Sequence, residues 1–399
     1  MKESEIYFNL ENWKFQLGKD IFKTFNERNR PDLPVLSATQ DQGMVLRDKI
    51  GFNVFHDESN ETTYKHILPG QFVIHLRSFQ GGFAHSAIEG IASPAYTVFS
   101  FKNKTEHYDL FWKYIFASRK FIKRLELITY GIRDGRSINF DEFKEMGFFY
   151  PSYEEQVRIA TYLQLIDSNI DSEKEKLEIL KRYKTASFHF MFPQEGENKP
   201  TVRFKSFEQE WNTLPLNNIA EKQIKKNTNR LFNETFTNSA EFGVISQRDF
   251  FDHDISNNES INGYYIIEPD DFVYNPRVSV TAPVGPVNRN LLNRTGIMSP
   301  LYFIFKVKNV NKSYLNYFFK TSLWHKYMML NGNSGARFDR LSITDDKFLA
   351  MPVLLPPTLE EQQLIASYFE NLDHQILLQS QCLDKLKQIK SACLDKMFV

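Results

Sequence analysis

Apolar residues recur at alternating steps of four and three across residues 151–193: Ile159, Leu163, Ile166, Ile170, Leu177, Leu180 and Met191. The same pattern returns 206 residues later without a gap, in Ile365, Phe369, Leu372, Ile376, Leu383, Leu386 and Met397. A 3.5-residue period held over more than four heptads predicts a coiled-coil seam, not the wider stripe of an ordinary surface helix. Polar residues interrupt both seams at matching places, Glu173 and Gln379, then Lys184 and Lys390. Such interruptions lower stability but pin the register. Each stretch opens with a proline, a Ser152 or Thr358 N-cap, and Glu155 or Glu361 three residues on, which predicts a capping box at both starts. With neither Pro nor Gly inside it, each helix runs about 40 residues, or roughly 60 Å.

The chain is therefore a duplicated unit. Residues 1–150 form a first globular unit, 151–192 the first long helix, 193–200 a polar Pro/Gly linker, 201–356 a second globular unit and 357–399 the second long helix. Short β-like runs at residues 71–74 and 96–99 sit between the turn signals Pro69-Gly70, Gly81-Gly82 and Ser93-Pro94, and a cationic amphipathic helix is expected from Tyr108 to Leu127. The fold class is α/β (mixed α+β). Trp13 answers Trp211, the run from Leu68 to Val73 answers that from Glu268 to Val273, Arg77 answers Arg277, and Gly131-Ile132-Arg133 answers Gly335-Ala336-Arg337. Between these anchors the units differ freely, as in residues 43–62 and 225–230. Two scaffolds alike in core and unlike in loops imply one task performed on two different targets.

The linker is too short to return the chain along the whole first helix, which a parallel pairing would require. The helices are thus expected to pair as an antiparallel coiled coil separating the two units, in a pseudo-two-fold internal repeat.

Formal net charge is zero, with 49 basic and 49 acidic residues, which disfavours a uniform basic coat but leaves local patches open. The two cysteines, Cys382 and Cys393, lie too far apart along one helix to bridge and are expected to be small apolar packers in a reducing cytosol. Neither a signal peptide nor a membrane-spanning apolar run is evident, so a soluble, cytoplasmic protein is expected.

Catalytic signatures are sparse. The sequence has no phosphate-binding GxxxxGK[ST] loop, HExxH, paired CxxC or nucleophile elbow. His75 and His85 lack ligand-spaced partners, so no metal site is expected, and Glu142-Phe143-Lys144 reads as surface charge. Basic groups offer more. Lys120 sits among Lys113, Arg119, Lys123 and Arg124, with Arg133 and Arg136 following, while Lys225 and Lys226 cluster with Lys222 and Arg230, and Lys326, Arg337 and Arg340 come later. These groups suit phosphate neutralisation. Arg77 and Arg277 occupy matching positions, and Gln40 and Gln247 follow matching strand-like runs as base readers could.

Two divergent units, each opening near a Trp and closing with Pro-[Ser/Thr]-x-Glu-Glu-Gln into a long heptad helix, resemble the specificity (S) subunit of type I restriction-modification systems. Residues 202–211, VRFKSFEQEW, resemble the lead-in to that family's target recognition domain, whereas residues 1–12 lack its full form. The resemblance implies a non-catalytic, sequence-specific DNA-binding subunit. Each unit would read half of a split asymmetric target on double-stranded DNA, with the coiled coil fixing the unread gap and half-sites about one helical turn, roughly 34 Å, apart. Two methyltransferase (M) subunits would bring S-adenosylmethionine and methylate adenine, and restriction (R) subunits would bring ATP and Mg. The alternative is a non-catalytic two-headed scaffold spacing protein partners, and a third reading is a nuclease with an unrecognised site.

Overall fold

The computed structural model describes residues 12–39, 42–49, 58–75, 82–126, 138–250, 261–333 and 339–398. The chain divides into two compact units, Met1–Glu175 with Ser380–Val399, and Lys176–Gln379.

In the first unit a four-stranded antiparallel sheet runs Phe22–Phe25, Thr97–Phe101, Phe72–Ile74, Phe83–His85 in spatial order. Strand alternation gives it two faces. Phe72 and Phe99 pack with Phe22, Phe116 and Phe143 beneath the helices. Val73 and Val98 instead meet Leu36, Met44 and Ile67 of the hairpin Leu36–Thr39/Gly43–Leu46 and its neighbouring strand pair. Beyond the sheet, Asp109–Ala117 and Arg119–Glu126 are two helices where the sequence predicted one. The break falls at Ser118, whose hydroxyl donates to the Ile115 carbonyl at 2.7 Å and accepts from the Phe121 N–H at 3.3 Å, competing with the helical ladder.

The second unit repeats this plan strand for strand. Its sheet runs Ala220–Lys222, Phe303–Val307, Phe272–Tyr274, Val287–Arg289, and the hairpin Phe236–Ser239/Gly243–Ser246 covers the same face through Phe236 and Val244, with Ile267 of the neighbouring strand Tyr265–Ile267. The turn before the third strand shows how far the likeness goes. Pro69-Gly70 and Pro269-Asp270 both place the second residue at positive φ, +80° and +72°, and both close an i to i+3 bond, as a type II turn requires.

The long helices are Tyr153–Met191 and Leu359–Met397. In both units their numbering runs oppositely. Within the first, Asp167 pairs with Lys390 at 2.5 Å and Tyr162 lies beside Cys393. Within the second, Lys184 pairs with Asp373, and Phe188 stacks on Phe369 at 4.3 Å. The antiparallel pairing is thus present in each unit. Seam residues Ile159, Leu163, Ile166, Ile170, Leu177, Ile365, Phe369, Leu372 and Leu383 are buried; Leu180, Ile376 and Leu386 are half-buried. The lysines that interrupt the seam make the same cross-helix bond twice, each carboxylate also accepting a tyrosine hydroxyl at 2.8 Å, Tyr114 on Asp167 and Tyr317 on Asp373. Cys382 is exposed rather than packed, because it faces away from the seam neighbour Leu383; Cys393 is half-buried.

The predicted capping boxes are half formed. Ser152 and Thr358 do accept the N–H of Glu155 and Glu361, at 3.3 and 3.2 Å. The Glu361 carboxylate, fully buried, is instead taken by Arg203 in a two-pronged bond at 2.7 and 2.8 Å and by the Trp211 indole N–H at 3.2 Å. Two donors of a buried guanidinium outcompete one backbone amide for a carboxylate that has lost its water.

Candidate nucleic-acid interface

The surface that could meet DNA hangs on a buried glutamine at the start of each long helix. Gln156 donates to the carbonyls of Glu106 and Pro151 at 2.9 and 3.0 Å and accepts the Tyr108 N–H at 2.9 Å. Gln362 donates to the Pro356 carbonyl at 3.0 Å and accepts the Asn311 N–H at 2.9 Å. Tyr108 and Asn311 are the N-caps of Asp109–Ala117 and Lys312–Phe318. Each globular fold is therefore locked to its own helix start by one side chain, the third residue of the repeated Glu-Glu-Gln. The repeat was visible in sequence, but the role was not, since partners 48 and 51 residues away are set by tertiary packing.

In the second unit many basic groups are neutralised internally. Arg289 and Lys312 meet Asp270, Arg294 meets Glu234, Lys306 meets Glu268, Lys222 meets Asp345 and Lys326 meets Glu195. Lys225, Lys226, Arg277 and Arg340 have no ion-pair partner among the described residues. The backbone gathers three of these four. Lys226 bridges to Tyr265, while Arg277 bridges to Arg340. Tyr265, Pro276 and Leu341, the residues next to these cations, line one cleft of about 200 Å³ together with Tyr274 and Tyr302. Lys226, Arg277 and Arg340 are thus tied through the backbone to residues of a single aromatic cleft, whose own lining cation, Lys222, is paired with Asp345; cations without an ion-pair partner suit phosphate oxygens.

The adjoining hairpin is held by a buried amide network. Asn238 donates to the Val273 carbonyl at 2.7 Å and accepts from Asn288 at 2.6 Å, and Lys320 donates to the Asn288 side-chain oxygen. Burial pushes the Lys320 ammonium down to about 8. Gln247, just past this hairpin, bonds the Thr235 carbonyl through its N–H at 2.8 Å and keeps its side-chain carbonyl buried without a hydrogen-bond partner.

In the first unit Lys120 is turned to a different use: its ammonium donates to the Phe398 carbonyl at 2.8 Å, satisfying an end of the second long helix. Gln40, Arg77, Arg133, Arg136 and Arg337 lie outside the described residues. His85 is paired with Asp109 at 2.6 Å, and among the described residues no cluster of His, Cys, Asp and Glu could hold a metal ion. No described helix is long and apolar enough to cross a membrane.

A second loop escaped the sequence reading. Residues 275–286 join two strands of the second sheet and are four longer than the equivalent 75–82 of the first. They form a tight, multiply bonded arch carrying Ser279, Val280 and Thr281 at its tip. Its sequence signals were three prolines, Pro276, Pro283 and Pro286, and Gly285.

Comparison with known proteins agrees with this geometry. The family described as type I restriction modification DNA specificity domain matches residues 12–182 and again 208–388, once for each unit. Among solved structures, the S subunit of the type I restriction-modification system from M. genitalium is 12% identical over 99% of this chain and 98% of its own, with a TM-score of 0.58. The HsdS subunit from Thermoanaerobacter tengcongensis is 16% identical over 100% and 99%, with a TM-score of 0.51. A chain from work on complex assembly and conformational transition of the type I R-M system is 16% identical over 98% of both, with a TM-score of 0.53. No curated protein matches in sequence. The chain belongs to the DNA specificity family of type I restriction-modification systems and is a DNA sequence-specificity subunit.

Proposed function

We propose that each unit reads one half of a split, asymmetric target on double-stranded DNA. The chain gives the address, and partner subunits perform adenine methylation and restriction. The observation that carries this reading is the same ten-strand plan built twice with unlike loops, each copy matched separately by the specificity family. Lys225, Lys226, Arg277 and Arg340 neutralise phosphates in the second half-site, with Gln247 near the base edges. Gln40, Arg77, Arg133, Arg136 and Arg337 serve correspondingly, and Lys120 contributes charge beside its structural bond. The chain is non-catalytic: two methyltransferase subunits hold S-adenosylmethionine, restriction subunits hold ATP and Mg, and the assembly works in the cytoplasm.

The test is to co-express the chain with the methyltransferase subunit of its host and map N6-methyladenine by long-read sequencing. A single split motif with a constant gap is expected. A stable complex that leaves the DNA unmethylated, or that methylates a continuous motif, contradicts the proposal.

A further inference from the structure

The arch at residues 275–286 combines an unusually complete set of anchors with a fully exposed apolar tip. At its base, Asn275 binds the Pro286 carbonyl through its N–H at 3.0 Å, the Asn238 carbonyl through its side-chain amide at 2.9 Å, and the Arg277 N–H through its side-chain oxygen at 3.0 Å. The Tyr274 hydroxyl reaches the Val284 carbonyl at 3.0 Å. On one flank the Val278 N–H binds the Asp339 carbonyl at 2.9 Å, beside the Arg277–Arg340 bridge. At the top, Ser279 and Ala282 exchange N–H to carbonyl bonds at 3.0 and 3.2 Å, and the Ser279 hydroxyl accepts the Ala282 N–H at 3.1 Å. Gly285 closes the arch at φ +84°, with its missing Cβ only 2.1 Å from the Asn275 carbonyl oxygen, so no other residue fits.

Side chains divide sharply around this frame. Val278 packs against the core, Ala282 is buried, and Val284 is wholly inaccessible. Val280 is 101% exposed, flanked by the exposed hydroxyls of Ser279 and Thr281, whose oxygens lie 3.3 Å apart. A single exposed apolar side chain is ordinary. A β-branched one held at the summit of a multiply bonded arch, between two hydroxyls, has the form of a pre-organised contact. Its chemistry suits one feature of the major groove. The 5-methyl of thymine is the apolar group that distinguishes base pairs there, and hydroxyls can meet base edges of either polarity.

We infer that this arch enters the major groove and that Val280 covers a thymine 5-methyl in the half-site read by the second unit. The inference rests on the split-target reading above and deepens it. The shorter, differently composed loop at residues 75–82 of the first unit would then read different bases.

The test uses the chain assembled with its methyltransferase subunits and synthetic duplexes carrying the mapped motif. Each thymine of the motif, on either strand, is replaced in turn by deoxyuridine, which removes only the methyl. At one thymine of one half-site, the substitution is expected to slow methylation about fourfold, the value of covering one methyl. V280A should abolish that difference, so that the thymine and deoxyuridine duplexes are methylated at one rate. Because Val280 is fully exposed, the variant keeps the fold, and a urea-unfolding midpoint equal to that of the parent chain verifies this. The inference is overturned if no thymine is sensitive, if neither half-site contains thymine, or if the sensitive position stays sensitive in V280A. Methylation without any split motif would instead overturn the reading on which it rests.

Discussion

Asp271 and Gln71 occupy the same turn position in the two units, and both accept the N–H three residues back, from Glu268 and Leu68, at 2.8 Å. An amide does this without charge. In Asp271 burial raises the carboxyl to about 6, above its ordinary 3.8, with the Glu268 N–H only partly offsetting the cost. The folded state therefore holds a proton between about pH 4 and 6 that the unfolded chain has released, and stability contributed at this site falls as pH rises through that window. D271N, which copies the first unit's uncharged solution, should stabilise the full chain by about 1–2 kcal/mol at pH 7.5. The advantage should shrink as pH falls from about 6 to 4, as read by urea unfolding across pH. An advantage that grows on acidification would show the turn is not so buried. The capping residues teach a related lesson. Ser152 and Thr358 were legible as N-caps because capping is local. The Glu361 carboxylate was not legible, because Arg203 and Trp211 reach it from 158 and 150 residues away.

At the scale of elements, the heptad pattern made the two long helices readable, since a seam is written into sequence period, and the short linker made their antiparallel pairing readable. The interrupting lysines were readable as register markers; their partners Asp167 and Asp373 emerged only once the helices were paired. The Lys184–Asp373 pair is partly exposed, with side chains 27% and 43% accessible, so its worth is modest. K184E should destabilise the chain by about 1 kcal/mol through like-charge contact with Asp373, and K184E/D373K should recover most of that loss. Urea unfolding of the four variants measures the coupling; additive losses would mean the bond does not help hold register. The cationic segment after Tyr108 was misread as one helix because Ser118 carries no proline-like signal, yet its hydroxyl ends the ladder.

Across the whole molecule, zero net charge hides a selective distribution. In the second unit many cations are spent on internal pairs, while Lys226, Arg277 and Arg340 are tied through the backbone to residues of one cleft. Which cations would be paired could not be read from composition, because partners such as Lys222 and Asp345 lie 123 residues apart. The duplication itself was legible from matching anchors, and the strand-for-strand repeat extends it through loops where sequence likeness disappears. The arch at residues 275–286 is the clearest case: its position is set by the scaffold, while its connection is four residues longer than that between the equivalent strands of the first unit.

The central claim is that each unit reads its own half of the target. The most direct measurement is to exchange residues 201–356 for the corresponding segment of another specificity subunit with a known motif, and to map methylated adenines in cells carrying the original methyltransferase subunit. The account predicts a split motif in which one half is inherited unchanged from this chain and the other comes from the donor. A motif altered in both halves, or one still wholly that of the parent, would contradict it.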